Sequence, residues 1–115
     1  MHRKVNDVRS NKIEAGIKTS MQVLLEPEEM PNFALRKFTI EEGGKMPMHT
    51  NIVEHEQYVL KGNACVTLDD ESFEVSEGSV VYIPANVPHC YKNIGKNSFE
   101  FLCIVPNKED KIELA

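Results

Sequence analysis

Three histidines lie in two short blocks whose spacing is suited to metal chemistry. His49 and Asn51 are two residues apart, as are His55 and Gln57. Because side chains two apart on an extended strand point the same way, each pair is predicted to share one face. A third imidazole, His89, follows in a later segment. Neutral imidazoles on rigid strands are typical ligands of a divalent transition metal, so the spacing predicts a metal site.

The elements that must position these imidazoles are short strands and turns. Residues 52–54 are predicted to form a turn between two arms of a hairpin, with His49 on one arm and His55 on the other. A proline stands at each end of the tight loop 84–88. Because proline removes a ladder donor, it is found at strand ends and edges. The loop is therefore expected to deliver His89 at the start of a further strand.

The rest of the chain is predicted to be almost entirely β-structure. Segments rich in apolar and β-branched residues alternate with Gly, Pro, Asn and Asp turn signals. The predicted strands are residues 17–25, 32–40, 57–60, 64–68, 72–75, 80–83, 88–93 and 99–105. Residues 41–44 are predicted to turn the chain into the first histidine block. This pattern favours an all-β double-sheet jelly roll with a single domain over 1–115, in which 1–15 form an N-terminal arm and 107–115 a charged C-terminal tail.

The first histidine block resembles the first conserved motif of the cupin family. That motif runs Gly, five residues, His, one residue, His, three or four residues, Glu, six residues, Gly. Gly43, His49 and Gly62 occupy the matching positions. Asn51 stands in place of the second His of the family, and His55 stands in place of its Glu.

The second histidine block resembles the second motif of the same family. That motif runs Gly, five residues, Pro, one residue, Gly, two residues, His, three residues, Asn. Gly78, Pro84, His89 and Asn93 fit it, with Asn86 in place of the middle Gly. Asn tolerates a positive φ better than most residues, so this exchange is mild.

The resemblance implies a small single-domain cupin, with the double-stranded β-helix fold and a three-histidine site. The implied metal ligands are His49, His55 and His89, and direct ligation by Asn51 is left open. Glu56 is an alternative to His55, but Gly62 would then come one residue early. We therefore predict that His55 points inward.

Other side chains are expected to surround this site. Gln57 and Tyr91 each lie two residues beyond a histidine, so alternation turns them toward the same cavity. On the last predicted strand, Phe101 and Cys103 share the inward face, and in similar small cupins this strand lines the cavity. Three of these residues have a simpler alternative role. Gln57 and Tyr91 could only form a hydrogen bond with a neighbour, and Cys103 could only pack in the core.

Composition restricts the partners and the compartment. A net charge of −5 argues against nucleic acid as a partner, because phosphate binding needs a basic surface. There is no apolar run of about 18 residues, so no membrane span is expected. The three cysteines, an odd number, favour reduced thiols and a cytoplasmic protein. The apolar strand 17–25 has the content to cover an open sheet edge, which predicts a homodimer.

Two functions from different classes are left open by the sequence. One is a metal-dependent enzyme, of the dioxygenase or isomerase type, that acts on a small organic molecule. The other is a non-catalytic cupin that binds a small ligand or a metal. The expected cofactor is a divalent transition metal, with Fe or Mn suited to oxygenation and Zn or Ni to Lewis-acid chemistry. The imidazoles are expected to titrate near the reference pKa of about 6.5.

Overall fold

Antiparallel strands form nearly the whole chain in the computed structural model, which describes residues 1–115. They are β1 (Ser10–Lys12), β2 (Ile17–Leu25), β3 (Phe33–Asn51), β4 (His55–Lys61), β5 (Ala64–Leu68), β6 (Glu71–Val75), β7 (Val80–Ile83), β8 (His89–Asn93), β9 (Phe99–Pro106) and β10 (Ile112–Leu114). One 3₁₀ turn, Val5–Asp7, precedes them. The elements include no helix with the length and apolar character that a bilayer span requires.

The strands hydrogen-bond into one curled sheet with the order β6-β5-β8-β3-β9-β4-β7. Strand β3 also pairs with β2 and β10, and β2 pairs with β1. Apart from β5 and β6, neighbours in this order are not consecutive in the chain, as in a jelly roll, and the sheet curls around a single interior. The predicted all-β jelly roll is confirmed, and β2, β5 and β7 have the predicted bounds.

Strand β3 is long because the predicted turn at residues 41–44 is a bend inside it. Gly43 has φ +80°, a conformation that glycine adopts without a steric penalty. Before this bend, residues 33–40 pair with β9, and after it Lys45, Met46 and His49 pair with β8. A glycine in the left-handed region redirects the strand without ending it, so β3 belongs to both halves of the barrel.

The predicted hairpin between the His49 arm and the His55 arm is wrong. Strand β3 pairs with β2, β8, β9 and β10, whereas β4 pairs with β7 and β9. Residues 52–54 therefore form a corner that carries the chain to another part of the sheet. Alternation correctly places both histidines inward, but it contains no information about which strands pair.

Alternating side chains of the strands fill the interior. In β9, Phe99, Phe101, Cys103 and Val105 are buried, while Glu100 lies outside and pairs with Lys37 at 2.8 Å. Fully burying a side chain such as Phe99 stabilises the fold by roughly 1.5–3 kcal/mol. These packed side chains fix the strands that surround the histidines.

Both chain termini are tied to the barrel. In the N-terminal arm, β1 pairs with β2, and Ile13 packs against the core. The charged tail, predicted to end the domain, instead folds back over it: β10 pairs with residues 49–51 of β3, and the Ala115 N–H donates to the Met48 carbonyl at 3.0 Å. Backbone pairing with β3 determines where the tail lies. The run of charged residues in the tail does not predict this position.

Candidate metal centre

A cavity of about 250 Å³ lies inside the barrel, and most of the predicted site residues line it. The predicted residues on its wall are His49, Asn51, His55, Gln57, His89, Tyr91 and Phe101. Cys103 is the exception, because it is buried behind the wall. Glu56 lies on the other side of β4, where its neighbours include Glu54. Sequence alternation therefore selected the correct face of each strand.

The three imidazoles come from three different strands. His49 of β3 and His89 of β8 are paired directly across the ladder, and their ring centroids are 4.2 Å apart. The ring centroid of His55, from β4, lies 6.2 Å from that of His89. The loop before His89 is held to β3 because the Asn86 N–H donates to the Asn51 carbonyl at 2.7 Å. Asn86 has φ +66°, so it takes the left-handed conformation expected at that position.

Backbone hydrogen bonds orient two of these rings. The Nδ1 atom of His49 lies 2.7 Å from the Pro47 carbonyl, and the Nδ1 atom of His89 lies 2.9 Å from the Val87 carbonyl. A carbonyl only accepts, so each Nδ1 carries the proton and donates. Each Nε2 is then left with its lone pair free, which is the form that binds a metal.

Several polar atoms buried at this site lack a hydrogen-bond partner. They include Nε2 of His55, Nε2 of His89 and Oδ1 of Asn51. Buried polar atoms are rarely left unpaired, so these three atoms fit a site for a cation or for a polar ligand. Imidazole nitrogens and an amide oxygen are a donor set that a divalent transition ion accepts.

Ring separations also agree with a shared ion, although the side chains do not form a finished cluster. With metal–nitrogen bonds of about 2.0–2.1 Å, the centroids of two rings on one ion lie within about 6.5 Å of each other. The 4.2 Å separation of His49 and His89 lies well within this limit, and the 6.2 Å separation of His55 and His89 lies close to it. No group of three His, Cys, Asp or Glu side chains has the arrangement of a complete metal site as it stands. Ligation by His49, His55 and His89 therefore stays a prediction.

Asp110 is a cavity residue that the sequence did not indicate. Its Oδ2 accepts from Asn51 Nδ2 at 3.0 Å and lies 3.8 Å from His55 Nε2. Its Oδ1 accepts from the backbone N–H groups of Ile52 and Lys111 at 3.0 and 2.8 Å. The carboxylate that the family carries in its first motif is missing from β4, and the C-terminal tail brings one to the same end of the cavity. The only sequence signal was the apolar alternation of Ile112 and Leu114 behind it.

Burial keeps the imidazoles neutral. It lowers the pKa of His55 and that of His89 to about 4, and it lowers the pKa of His49 as well. The positive charge of Arg36 adds to the effect on His55, and the Asp110 carboxylate opposes it. The expectation of titration near 6.5 is therefore wrong, because it took no account of desolvation. At neutral pH all three rings are in the form that binds metal.

Gln57 joins the cavity wall to the core. Its Nε2 donates to the Tyr91 hydroxyl at 2.7 Å and lies 3.8 Å from Cys103 Sγ. Burial raises the pKa of Tyr91 well above its ordinary value and raises the pKa of Cys103 to about 11. Both groups are therefore protonated at neutral pH. Tyr91 can donate a hydrogen bond into the cavity, and Cys103 is a packing residue with no thiolate chemistry.

Another part of the cavity wall is aromatic and carries one cation. Phe101 stacks between Phe38 and Tyr91, with ring centroids 5.1 and 5.2 Å away. Arg36, which the sequence analysis assigned no role, also lines the cavity. The alternation of side chains along β3 is consistent with an inward Arg36. It could not show that Arg36 has no acidic partner.

Sequence comparisons identify relatives across the central part of the chain. The profile of the cupin domain matches residues 36–105. An uncharacterised protein of Methanocaldococcus jannaschii is 40% identical over 62 residues, or 53% of this chain and 50% of that protein. The mannose-1-phosphate guanylyltransferase of Salmonella muenchen is 38% identical over 64 residues, or 54% of this chain and 13% of that enzyme. The chain thus spans half or less of the length of these relatives.

Structural comparisons extend over nearly the whole chain. The polyketide cyclase RemF of Streptomyces resistomycificus superposes with a TM-score of 0.88 and 26% identity, over 100% of this chain and 86% of the cyclase chain. An oxalate decarboxylase of Lactobacillus farciminis superposes with a TM-score of 0.78 and 23% identity, over 95% of this chain and 34% of that enzyme. The second likeness is one of fold alone.

Proposed function

This chain belongs to the cupin family, and from that premise we propose that it is a metal-dependent enzyme which transfers protons on a small organic molecule, as an isomerase or a cyclase does. The observation that carries the proposal is that Nε2 of His55, Nε2 of His89 and Oδ1 of Asn51 are buried at one cavity without a hydrogen-bond partner. Its high structural similarity to a polyketide cyclase supports an enzymatic role.

The residues that would hold the metal are His49, His55 and His89. A divalent ion bound by these neutral rings would supply Lewis-acid polarisation of a substrate oxygen. The rings are held by their own strands, and two are fixed by carbonyl hydrogen bonds, so the site is preorganised. Asn51 is available to hydrogen-bond a polar group of the substrate through its Oδ1.

Asp110 is the group that we assign to proton transfer. Two backbone N–H groups hold its Oδ1, and Asn51 orients its Oδ2 toward the histidines. A carboxylate fixed beside the position of a polarised carbonyl is suited to remove a proton from the adjacent carbon. Tyr91, kept protonated by burial, can donate a hydrogen bond to the oxygen of the substrate.

Oxygenation is the second candidate, because open positions on a three-histidine ion also suit oxygen binding. The cavity wall argues against it. Met21 and Met46 both line the cavity. Thioethers are oxidised readily, so their presence favours a reaction without oxidant. The third candidate is a non-catalytic protein that binds a small ligand, and the following experiment also tests it.

The test begins with elemental analysis of protein purified without added metal. The metal-loaded protein is then incubated in deuterated water with a panel of 2-oxo acids and 1,3-diketones, followed by NMR and by an oxygen electrode. Exchange of a carbon-bound proton without oxygen uptake is expected, with a loss of about 100-fold in Asp110→Asn. Oxygen uptake without exchange would assign an oxygenase, and neither response would leave a binding protein.

We place this activity in the cytoplasm, on the argument from the cysteines. An odd number of thiols with no paired spacing is typical of a reducing compartment.

A further inference from the structure

Arg36 is a cation on the cavity wall with no acidic partner. The ion pairs of the protein are Arg3–Glu29, Lys37–Glu100 and Lys111–Glu113, and none includes Arg36. The only hydrogen-bond contact of its side chain is from an NH1 group to Met21 Sδ at 3.9 Å. Its Nε is buried and has no partner at all. A guanidinium has five donors, so most of the binding capacity of this one is unused.

The guanidinium faces the same space as the histidines. Arg36 is paired with Cys103 across β3 and β9, and Cys103 is paired with Gln57 across β9 and β4. Gln57 is two residues from His55 on the same inward face of β4. The positive charge of Arg36 is close enough to lower the pKa of His55. One cavity therefore joins the arginine to the imidazoles.

Aromatic side chains line the cavity beside Arg36. Phe38 and Phe101 stack there, and the Arg36 guanidinium carbon lies 6.0 Å from the ring centroid of Phe38. A cation at that distance from a ring is stabilised by the ring face and stays available at its edge for an anion. The cavity of about 250 Å³ exceeds the roughly 150 Å³ that accommodates benzene in an apolar protein cavity.

We propose that Arg36 binds the carboxylate of a small substrate that has an apolar or aromatic body, with the reacting end directed to the histidines. A planar guanidinium matches a carboxylate through two parallel hydrogen bonds. A single cation on the wall balances one negative charge, which favours a monocarboxylate over a phosphate. Asp110, the one acid on the wall, is held by Asn51 and by backbone N–H groups and forms no ion pair with Arg36. The inference rests on the proposed function, because it names the substrate class of that site.

Binding to metal-free protein tests the arginine separately from the metal. The protein is stripped with a chelator and titrated calorimetrically with benzoate, phenylacetate and hexanoate, and with benzamide as the neutral match of benzoate. Benzoate is expected to bind at least about tenfold more tightly than benzamide. In Arg36→Gln this preference should disappear, while Lys45→Gln, which removes an exposed positive charge from the same strand, should retain it.

A second measurement uses the unaltered protein. The NMR signal of the Arg36 Nε–H group should shift on titration with benzoate and not with benzamide, which keeps the test decisive if Arg36→Gln fails to fold. The proposal is overturned if no carboxylate of the three shows saturable binding, or if benzoate binds Arg36→Gln as tightly as the wild type. This test uses metal-free protein, so its result does not depend on metal uptake or proton exchange. Failure of carboxylate binding can therefore be distinguished from failure of the proposed function.

Discussion

The buried histidines determine how the cavity responds to metal. His89 is almost wholly buried, its Nδ1 is fixed by a carbonyl, and its Nε2 has no partner. Replacing it with alanine removes one of three predicted ligands, so we expect His89→Ala to weaken Zn(II) or Mn(II) binding by about 100-fold or more. Isothermal titration at pH 7 measures this. His2→Ala is the matched control, and equal affinity in the two variants would contradict the assignment.

The same histidines should make the metal-free protein sensitive to acid. Burial lowers the folded-state pKa of His55 and His89 to about 4, against about 6.5 in the unfolded chain. Between these values the unfolded state binds more protons, so acid favours unfolding. The free energy of unfolding should therefore rise with pH from about 4 to 6.5, by about 1.4 kcal/mol per pH unit for each histidine.

Urea denaturation of chelator-treated protein at pH 5, 6 and 7 measures this slope. His89→Gln, which cannot titrate, should reduce it by the contribution of one histidine. A free energy of unfolding that stays constant across this range would show that the rings are solvated in the folded state.

Two glycines illustrate what the connections between strands require. Gly62 and Gly78 both have φ +87°. A Cβ added at Gly62 would clash with the Ser98 carbonyl oxygen, whereas a Cβ at Gly78 would meet nothing within 4 Å. We expect Gly78→Ala to cost about 1–2 kcal/mol, the penalty of the left-handed conformation alone. Gly62→Ala should cost at least about 1 kcal/mol more, because backbone must move as well.

Thermal and urea unfolding of the two variants provide the comparison. Equal losses of stability would mean that the contact with Ser98 is relieved without cost. The result bears on the site, since Gly62 directly follows β4, the strand that carries His55.

At the scale of the whole molecule, the predicted homodimer needs a surface. Strand β2, expected to provide it, is already paired on both sides, with β1 and β3 of the same chain. The outer face of β7 is more exposed: Val80 and Tyr82 are 76% and 54% exposed, and the exposed Tyr58 of β4 lies beside Val80. Such patches commonly mark interfaces, and β7 is an edge strand of the curled sheet.

We therefore expect a dimer formed through the outer face of β7. Light scattering should give twice the 13.1 kDa mass of one chain at micromolar concentration. Tyr82→Glu should shift the protein to monomer without loss of the fold, while Ile17→Glu on β2 should not. A wild-type mass of 13.1 kDa would rule out the dimer.

The sequence by itself determined the local features of this protein. Period-two alternation placed His49, His55 and His89 inward, and turn chemistry located the strand ends, because both depend on neighbours in the chain. Even the left-handed conformation of Asn86 followed from its position in the motif.

Only the tertiary structure decided which distant groups meet at the cavity. Asp110 reaches Asn51 across 59 residues, and Arg36 faces His55 from a strand that is not its neighbour. Strand pairing determines which distant residues come together, and this pairing depends on the packing of the entire barrel. The lowered histidine pKa values also depend on the tertiary structure, since desolvation is a property of the assembled cavity and not of any one segment.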